Sequence, residues 1–217
     1  DKAVGAIAFD NGSWDDLVAT NESSIEAYGA HHLMGNITGN QDRPRFTSLA
    51  DGTLDVNEDM KFQGWTRDIG HGGPDGYAKM RLLMSYIMSV PGIPCVYYGD
   101  EIADVGGNDP DNRRMMRFDG LNADELATRD WTAMWAHFRR SRLSMLYGTT
   151  AFHVLNEDVL HIERAHLGEV THVLLNRSAQ DVSIPSELKQ PAPPLAGFLT
   201  DEGLLPGWGA VAFSTTN

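Results

Sequence analysis

Short apolar runs alternate with amphipathic stretches along the first two thirds of the chain. The apolar runs predict three buried strands, at residues 3–9, 32–37 and 93–98. The amphipathic stretches predict three helices, at residues 14–28, 76–90 and 122–147. The resulting order of strand, helix, strand, helix, strand, helix indicates βαβ units and a parallel sheet.

Polar segments follow the predicted strands, in loops that begin at Asp10, Thr38 and Gly99. In parallel sheets the functional loops follow the carboxyl ends of the strands. The loops that begin at Thr38 and Gly99 carry dense polar residues, so they are the first candidates for a functional site. Residues 45–76 are polar and irregular, and they are predicted to form a long loop of the kind that is usually functional or disordered.

The pattern of apolar runs and turns changes after Gly148. Short β-type runs are separated there by turns rich in Gly, Pro and Asn, and they lie at residues 159–164, 170–175 and 210–213. Such spacing predicts a small all-β domain. We therefore expect a domain boundary near residue 149.

Composition and charge argue against several classes of partner and site. The 217 residues carry a formal net charge of −13 without a basic stripe, which argues against a nucleic-acid partner. No apolar run reaches the roughly 18–20 residues that cross a bilayer, so no membrane span is expected. The single cysteine, Cys95, excludes an internal disulfide and a cysteine-based zinc cluster. The chain starts without Met and without a signal-peptide pattern, and we expect it to be part of a longer protein.

Three motifs carry the candidate chemistry: GNQDRPRF at residues 39–46, PGIPCVYYGDE at 91–101 and GGNDPDNRR at 106–114. Each alone could be a turn, and Asp42 beside Asn40 is by itself more typical of an Asx-turn or a loop ion pair. Their order and spacing together are far more specific than any one of them.

In these motifs the chain resembles the α-amylase family, glycoside hydrolase family 13. In that family a barrel strand ends in an Asn-His-Asp signature, often followed by Pro-Arg, and here residues 40–42 read Asn-Gln-Asp with Pro-Arg at 44–45. A strand of the form PG-x-P-x-x-YYGDE and a GGNDPxNR loop should follow, and both are present. The resemblance covers nearly the whole chain and looks closest to the neopullulanase, cyclomaltodextrinase and maltogenic-amylase branch.

The resemblance implies an α/β fold in two parts. Residues 1–148 would be the last three βα units of a (β/α)8 TIM barrel, and residues 149–217 a small all-β sandwich domain. The implied activity is retaining hydrolysis of α-1,4 bonds, with α-1,6 bonds as a second class, in starch, maltooligosaccharides or cyclodextrins.

Residue roles follow from the same resemblance. Asp42 takes the place of the family's third catalytic carboxylate, which holds sugar hydroxyls at the cleavage subsite while the transition state gains oxocarbenium character. Asn40, Gln41 and Arg45 lie in the same signature and are candidate substrate-binding residues. Gln41 stands where the family usually has His, so it can exchange hydrogen bonds with a sugar but cannot carry charge.

Two further groups are candidate sugar contacts. Asp109 and Arg113 match a pair that contacts the sugar one subsite further along, and a loop salt bridge is the structural alternative. Trp65 is a candidate platform for stacking on a glucose ring. Asp100 and Glu101 are expected to be structural or supporting.

The family's nucleophile and acid/base motifs are absent from these 217 residues. A retaining glycosidase needs both carboxyl groups, about 5–5.5 Å apart. We therefore expect the isolated chain to be an inactive fragment whose partners are an α-glucan substrate and the missing N-terminal part of the barrel. The resemblance leaves a homo-oligomer open and favours a bacterial periplasmic or extracellular location.

Cofactors and rival functions complete the expectations. No calcium ligand set is identifiable, and calcium is implied only because it is common in the family. The main rival is a non-catalytic amylase-like module that binds glucan or protein, which Gln41 supports. A second rival, an α/β enzyme with phosphate-binding glycine loops, is disfavoured because no G-x-G-x-x-G or Walker sequence follows a strand.

Overall fold

The computed structural model describes residues 2–9, 12–188 and 193–216. The helices of this part of the chain are α1 (Lys2–Ala8), α2 (Trp14–Tyr28), α3 (Phe46–Ala50), α4 (Met60–Thr66), α5 (Pro74–Ser89), α6 (Ala123–Ser141) and α7 (Leu143–Tyr147). The strands are β1 (Gly35–Ile37), β2 (Ile93–Cys95), β3 (Thr149–Val154), β4 (Val159–His166), β5 (Glu169–Asn176), β6 (Val182–Ser183), β7 (Ala196–Gly197), β8 (Leu204–Leu205) and β9 (Ala210–Thr216).

Strands β1 and β2 form the parallel pair on which the candidate site is built. They align Gly35 with Ile93 and Ile37 with Cys95, and helices α3 to α5 make the crossover between them. Both strands are shorter than the predicted runs. Gly92 precedes β2 with φ +96°, and a Cβ there would meet the carbonyl oxygen of Met34 at 2.4 Å, so this close approach requires glycine.

The first predicted strand, residues 3–9, is wrong, because this segment forms helix α1. It is rich in alanine, the strongest helix former, and a helix satisfies its own backbone groups without a neighbouring strand. Ala6 and Ile7 are buried in a core shared with α2, α3 and α5. Asp10 and Asn11, where the first predicted loop begins, lie outside the described residues.

The long loop predicted over residues 45–76 is also wrong in part, since it contains helices α3 and α4. Helices of five and seven residues are too short to produce a clear periodic signal. The α4 helix is capped by Asp59, whose side chain accepts hydrogen bonds from the backbone N–H groups of Lys61 and Phe62.

Helices α5 and α6 confirm two predictions. The predicted apolar stripe of α5 is buried along its whole length. It consists of Met80, Leu83, Met84, Ile87 and Met88. The start of α6 is a complete capping box in which Asn122 and Glu125 bond reciprocally. The single helix predicted to reach residue 147 is interrupted at Arg142, whose extended backbone separates α6 from α7.

The C-terminal strands form an antiparallel sheet in the order β3-β4-β5-β9-β7, with β6 and β8 paired separately. The predicted runs at 159–164, 170–175 and 210–213 fall within β4, β5 and β9. One face, with Leu160 and Val173, packs in the same core as α5 and α6, and the other, with Leu174 and Val211, packs with residues of β6 and β8. The boundary near residue 149 stays a prediction.

Among the described residues, the helices are all too short or too polar to cross a membrane.

Candidate active site

Asp42 lies in a tight turn directly after β1. The backbone N–H of Thr38 bonds the carbonyl of Cys95 at 3.1 Å, which carries the strand pairing into the loop. The Asn40 side chain accepts the Asp42 N–H at 2.8 Å, and the Gln41 amide donates to the Asp42 carboxylate at 3.1 Å. The carboxylate is exposed, so the Asx-turn holds Asp42 without removing it from solvent.

Arg45 anchors this loop to the residues that follow β2. Its Nη1 donates to the carbonyl of Tyr98 at 2.6 Å and to Asp100 at 2.9 Å, and its guanidinium carbon lies 4.5 Å from the Tyr97 ring centroid. Arg45 is only 2% exposed. This burial favours an anchoring role, and a direct contact between Arg45 and a sugar stays a prediction.

Asp100 is fully buried opposite Arg45. Burial raises the pKa of Asp100 to about 6, while the Arg45 guanidinium and the hydrogen bonds to the carboxyl pull it down. Burial is the larger effect because the carboxyl has lost its water. The geometry is that of a supporting residue, since Asp100 joins the β2 loop to Arg45.

Residues 106–113, here called the second loop, pack against residues 39–46, here called the Asp42 loop. Gly106 accepts the Arg45 N–H at 3.1 Å and donates to Ser48 Oγ at 2.9 Å. The buried amide of Asn112 donates to the carbonyls of Arg43 at 2.6 Å and Asn40 at 3.3 Å. Asn112 is therefore a direct side-chain link between the two loops. The sequence analysis missed this role because local spacing does not reveal it.

Asp109 and Arg113 form the loop salt bridge that the sequence analysis gave as the structural alternative to a sugar contact. Asp109 also accepts from Lys61 Nζ of α4 at 3.2 Å. The side chains of all three residues remain partly exposed. A salt bridge and a sugar contact therefore stay compatible.

An open cavity of about 810 Å³ adjoins these loops. Asn40 and Asp42 line it, together with Lys61 and Asn108, which the sequence analysis missed. The residues that line this cavity do not include Gln41, Arg45, Trp65, Asp109 or Arg113. Lys61 reaches both the cavity and Asp109, so it connects Asp42's surroundings to the second loop.

Trp65 lies on α4 and is 69% exposed. An exposed indole can stack on a sugar ring, because the ring face is free. Its helix is the one that carries Lys61, although Trp65 itself does not line the cavity.

A calcium site finds little support in the described residues. The one group of three or more acidic, His or Cys side chains whose ligand atoms lie close together is His161, Glu163 and His172, outside these loops. Calcium prefers oxygen ligands, and two of these three residues offer imidazole nitrogen. These residues do not fit the calcium implied by the resemblance.

Comparison with known proteins supplies the deciding observation. The chain is 30% identical over 126 residues to a cyclomaltodextrinase from Geobacillus thermopakistaniensis, covering 57% of this chain and 21% of that protein. It is 32% identical over 139 residues to a cyclomaltodextrin glucanotransferase from a Bacillus species, covering 63% of this chain and 19% of that protein. Over these lengths the chain is similar to enzymes of the α-amylase family.

Solved structures share the fold of this chain. An α-amylase from Geobacillus thermoleovorans, complexed with acarbose, matches 98% of this chain with a TM-score of 0.71 at 24% identity, and this chain covers 45% of that one. The chain is accordingly part of an amylase-type barrel followed by a β-domain. It spans about a fifth of the curated relatives it matches. No family model matches it.

Proposed function

We propose that this chain is part of a glycoside hydrolase that cleaves α-1,4-glucosidic bonds with retention, with α-1,6 bonds as a second class. The sequence relatives are named cyclomaltodextrinase and cyclomaltodextrin glucanotransferase, and a structural neighbour is complexed with acarbose. Starch, maltooligosaccharides and cyclodextrins are the proposed substrates.

The observation that carries this proposal is the position of Asp42. Its carboxylate is exposed on the wall of a cavity of about 810 Å³, at the end of a strand in a parallel pair. An ionised carboxylate accepts strong hydrogen bonds from sugar hydroxyls, and such bonds tighten as the ring becomes oxocarbenium-like. Asp42 is therefore proposed to hold the sugar at the cleavage subsite.

The neighbours of Asp42 receive proposed roles in the same reaction. Gln41 already bonds the Asp42 carboxylate and would turn its amide toward the same sugar. Asn40 fixes the turn and lines the cavity. Asp109 and Arg113 would contact the next sugar along, and the exposed Trp65 would stack on a ring further out.

The isolated chain is proposed to be inactive. Glu58 and Asp59 are the other carboxylates on the cavity wall. Glu58 accepts from Arg67 at 2.8 Å and from the Asp55 N–H at 2.8 Å, and Asp59 caps α4. Both are committed to local structure, which leaves Asp42 without a free partner of the kind that retaining chemistry requires.

Hydrolysis assays on maltoheptaose and cyclodextrin test this proposal. The full-length enzyme should release reducing sugar, and the chain alone should release none. Asp42→Asn in the full-length enzyme should lower kcat/KM by about 10²–10³, since several kcal/mol of transition-state binding are at stake. Asp130→Asn, on the exposed side of α6, is the matched control and should change nothing. Wild-type activity in Asp42→Asn would remove Asp42 from the reaction.

A glucan-binding module without catalysis is the second candidate. Gln41 favours it, because Gln replaces a residue that the family usually uses on the reacting sugar. Calorimetry with maltoheptaose on the full-length protein separates the two functions. Binding without any hydrolysis would support the module and contradict the enzyme.

A further inference from the structure

Three histidines and a glutamate share one face of the C-terminal sheet. The strand register places His153 opposite His161 and Glu163 opposite His172. Because residues two apart on a strand point to the same side, all four side chains lie on the face that also carries Leu174. The candidate active site uses none of them.

The polar atoms of three of these residues converge. His161 Nε2 lies 3.1 Å from His172 Nδ1, and His172 Nδ1 lies 3.9 Å from Glu163 Oε2. One ligand atom from each residue lies within 4.8 Å of the others. Ligands about 2.0–2.2 Å from a tetrahedral Zn²⁺ are separated by roughly 3.3–3.5 Å, so these positions need little movement to surround an ion.

Neighbouring side chains fix the orientation of the His172 and His161 rings. His172 Nε2 lies 3.3 Å from the Thr215 hydroxyl, and an N–H donated to that oxygen leaves the Nδ1 lone pair facing His161. The ring of His153 stacks on His161 at a centroid distance of 5.1 Å and limits its rotation.

We propose that His161 Nε2, His172 Nδ1 and the Glu163 carboxylate form a binding site for a first-row divalent transition metal, with Zn²⁺ as the reference ion. Two imidazoles and one carboxylate suit Zn²⁺ and Co²⁺ and disfavour calcium and magnesium. The half-exposed Glu163 gives the ion access from solvent and leaves a fourth position for water.

The proposed ion bridges β4 and β5. His161 and Glu163 belong to β4, and His172 belongs to β5. Binding to the folded chain alone stabilises it, so the site acts as a clamp between two central strands of the sheet. The alternative is a single N–H···N hydrogen bond between the two imidazoles with no ion.

Co²⁺ titration of the metal-free protein tests the site. The visible spectrum of bound Co²⁺ should show the intense bands of a four-coordinate ion and should disappear when Zn²⁺ is added. His172→Ala and Glu163→Gln should each weaken binding by at least about tenfold. His137→Ala, which removes an exposed histidine of α6, should leave binding unchanged.

A second measurement protects the test against variants that misfold. Nitrogen NMR of the histidine rings in the wild-type protein should show Zn²⁺ shifting His172 Nδ1 and His161 Nε2, while His172 Nε2 stays protonated. The proposal is overturned if Co²⁺ binding does not saturate, if Glu163→Gln binds like wild type, or if Zn²⁺ shifts only other histidines.

Discussion

The parallel pair and the antiparallel sheet are stabilised in different ways. In β1 and β2, Ile37 and Ile93 are each about half exposed, and the adjoining loops are held by Arg45 and Asn112. In the antiparallel sheet, Leu175 and its neighbours are buried on both faces. The comparison teaches that polar links fix the candidate site, whereas apolar burial fixes the domain beside it.

The largest expected effect comes from breaking the buried ion pair between Arg45 and Asp100 at the candidate site. Arg45→Met should destabilise the chain by about 3–5 kcal/mol, because it leaves Asp100 buried without its cation. Urea unfolding gives the free energy. Arg113→Met removes a partly exposed pair and should cost under about 1 kcal/mol. Equal costs for the two variants would mean that burial of the Arg45 pair contributes nothing.

The next test addresses the sheet. Leu175→Ala should cost about 2–5 kcal/mol, because it opens a cavity at a fully buried position. Ile37→Ala on β1 should cost about 1 kcal/mol or less, since that side chain is 53% exposed. Urea unfolding again measures both, and a larger loss at Ile37 would reverse the comparison.

The link between the loops gives a smaller effect. Asn112→Ala should cost about 1–3 kcal/mol, because two backbone carbonyls lose the hydrogen bonds that the buried Asn112 amide donates to them. Amide hydrogen exchange should accelerate across residues 39–46. Asn57→Ala, which removes an exposed amide bonded to Asp55, is the control. Unchanged exchange in Asn112→Ala would show that the Asn112 side chain does not stabilise residues 39–46.

The smallest expected effect is a pH dependence of the free energy of unfolding, to which Asp100 contributes at most one proton. Burial raises the pKa of Asp100 from 3.8 to about 6. Between these values the folded chain keeps a proton that the unfolded chain has lost, so stability should fall as pH rises from about 4 to 6. Asp100→Asn should flatten that part of the curve in urea unfolding measured across pH. An identical slope in the variant would contradict the assignment to Asp100.

The sequence predicted best where the pattern was long or chemically specific. Strands β4, β5 and β9 and the α6 capping box were found because alternation, turns and the Asn122–Glu125 spacing are local signals. Helix α1 was missed because a seven-residue apolar run does not distinguish helix from strand.

Prediction of the candidate site had a similar limit. The motifs located Asn40, Asp42 and Asp109, since these lie within contiguous signatures. Lys61 and Asn108 were missed because a cavity wall depends on tertiary packing, and Lys61 meets Asp109 across 48 residues of sequence. Separations of that size leave no trace in local spacing.

The bridge from Asn112 to the Asp42 loop makes this surface a discontinuous epitope. An antibody against the folded surface would contact segments about 70 residues apart in the chain. Excised peptides covering only 39–46 or only 106–113 would lack the cross-loop hydrogen bonds and would compete poorly for such an antibody.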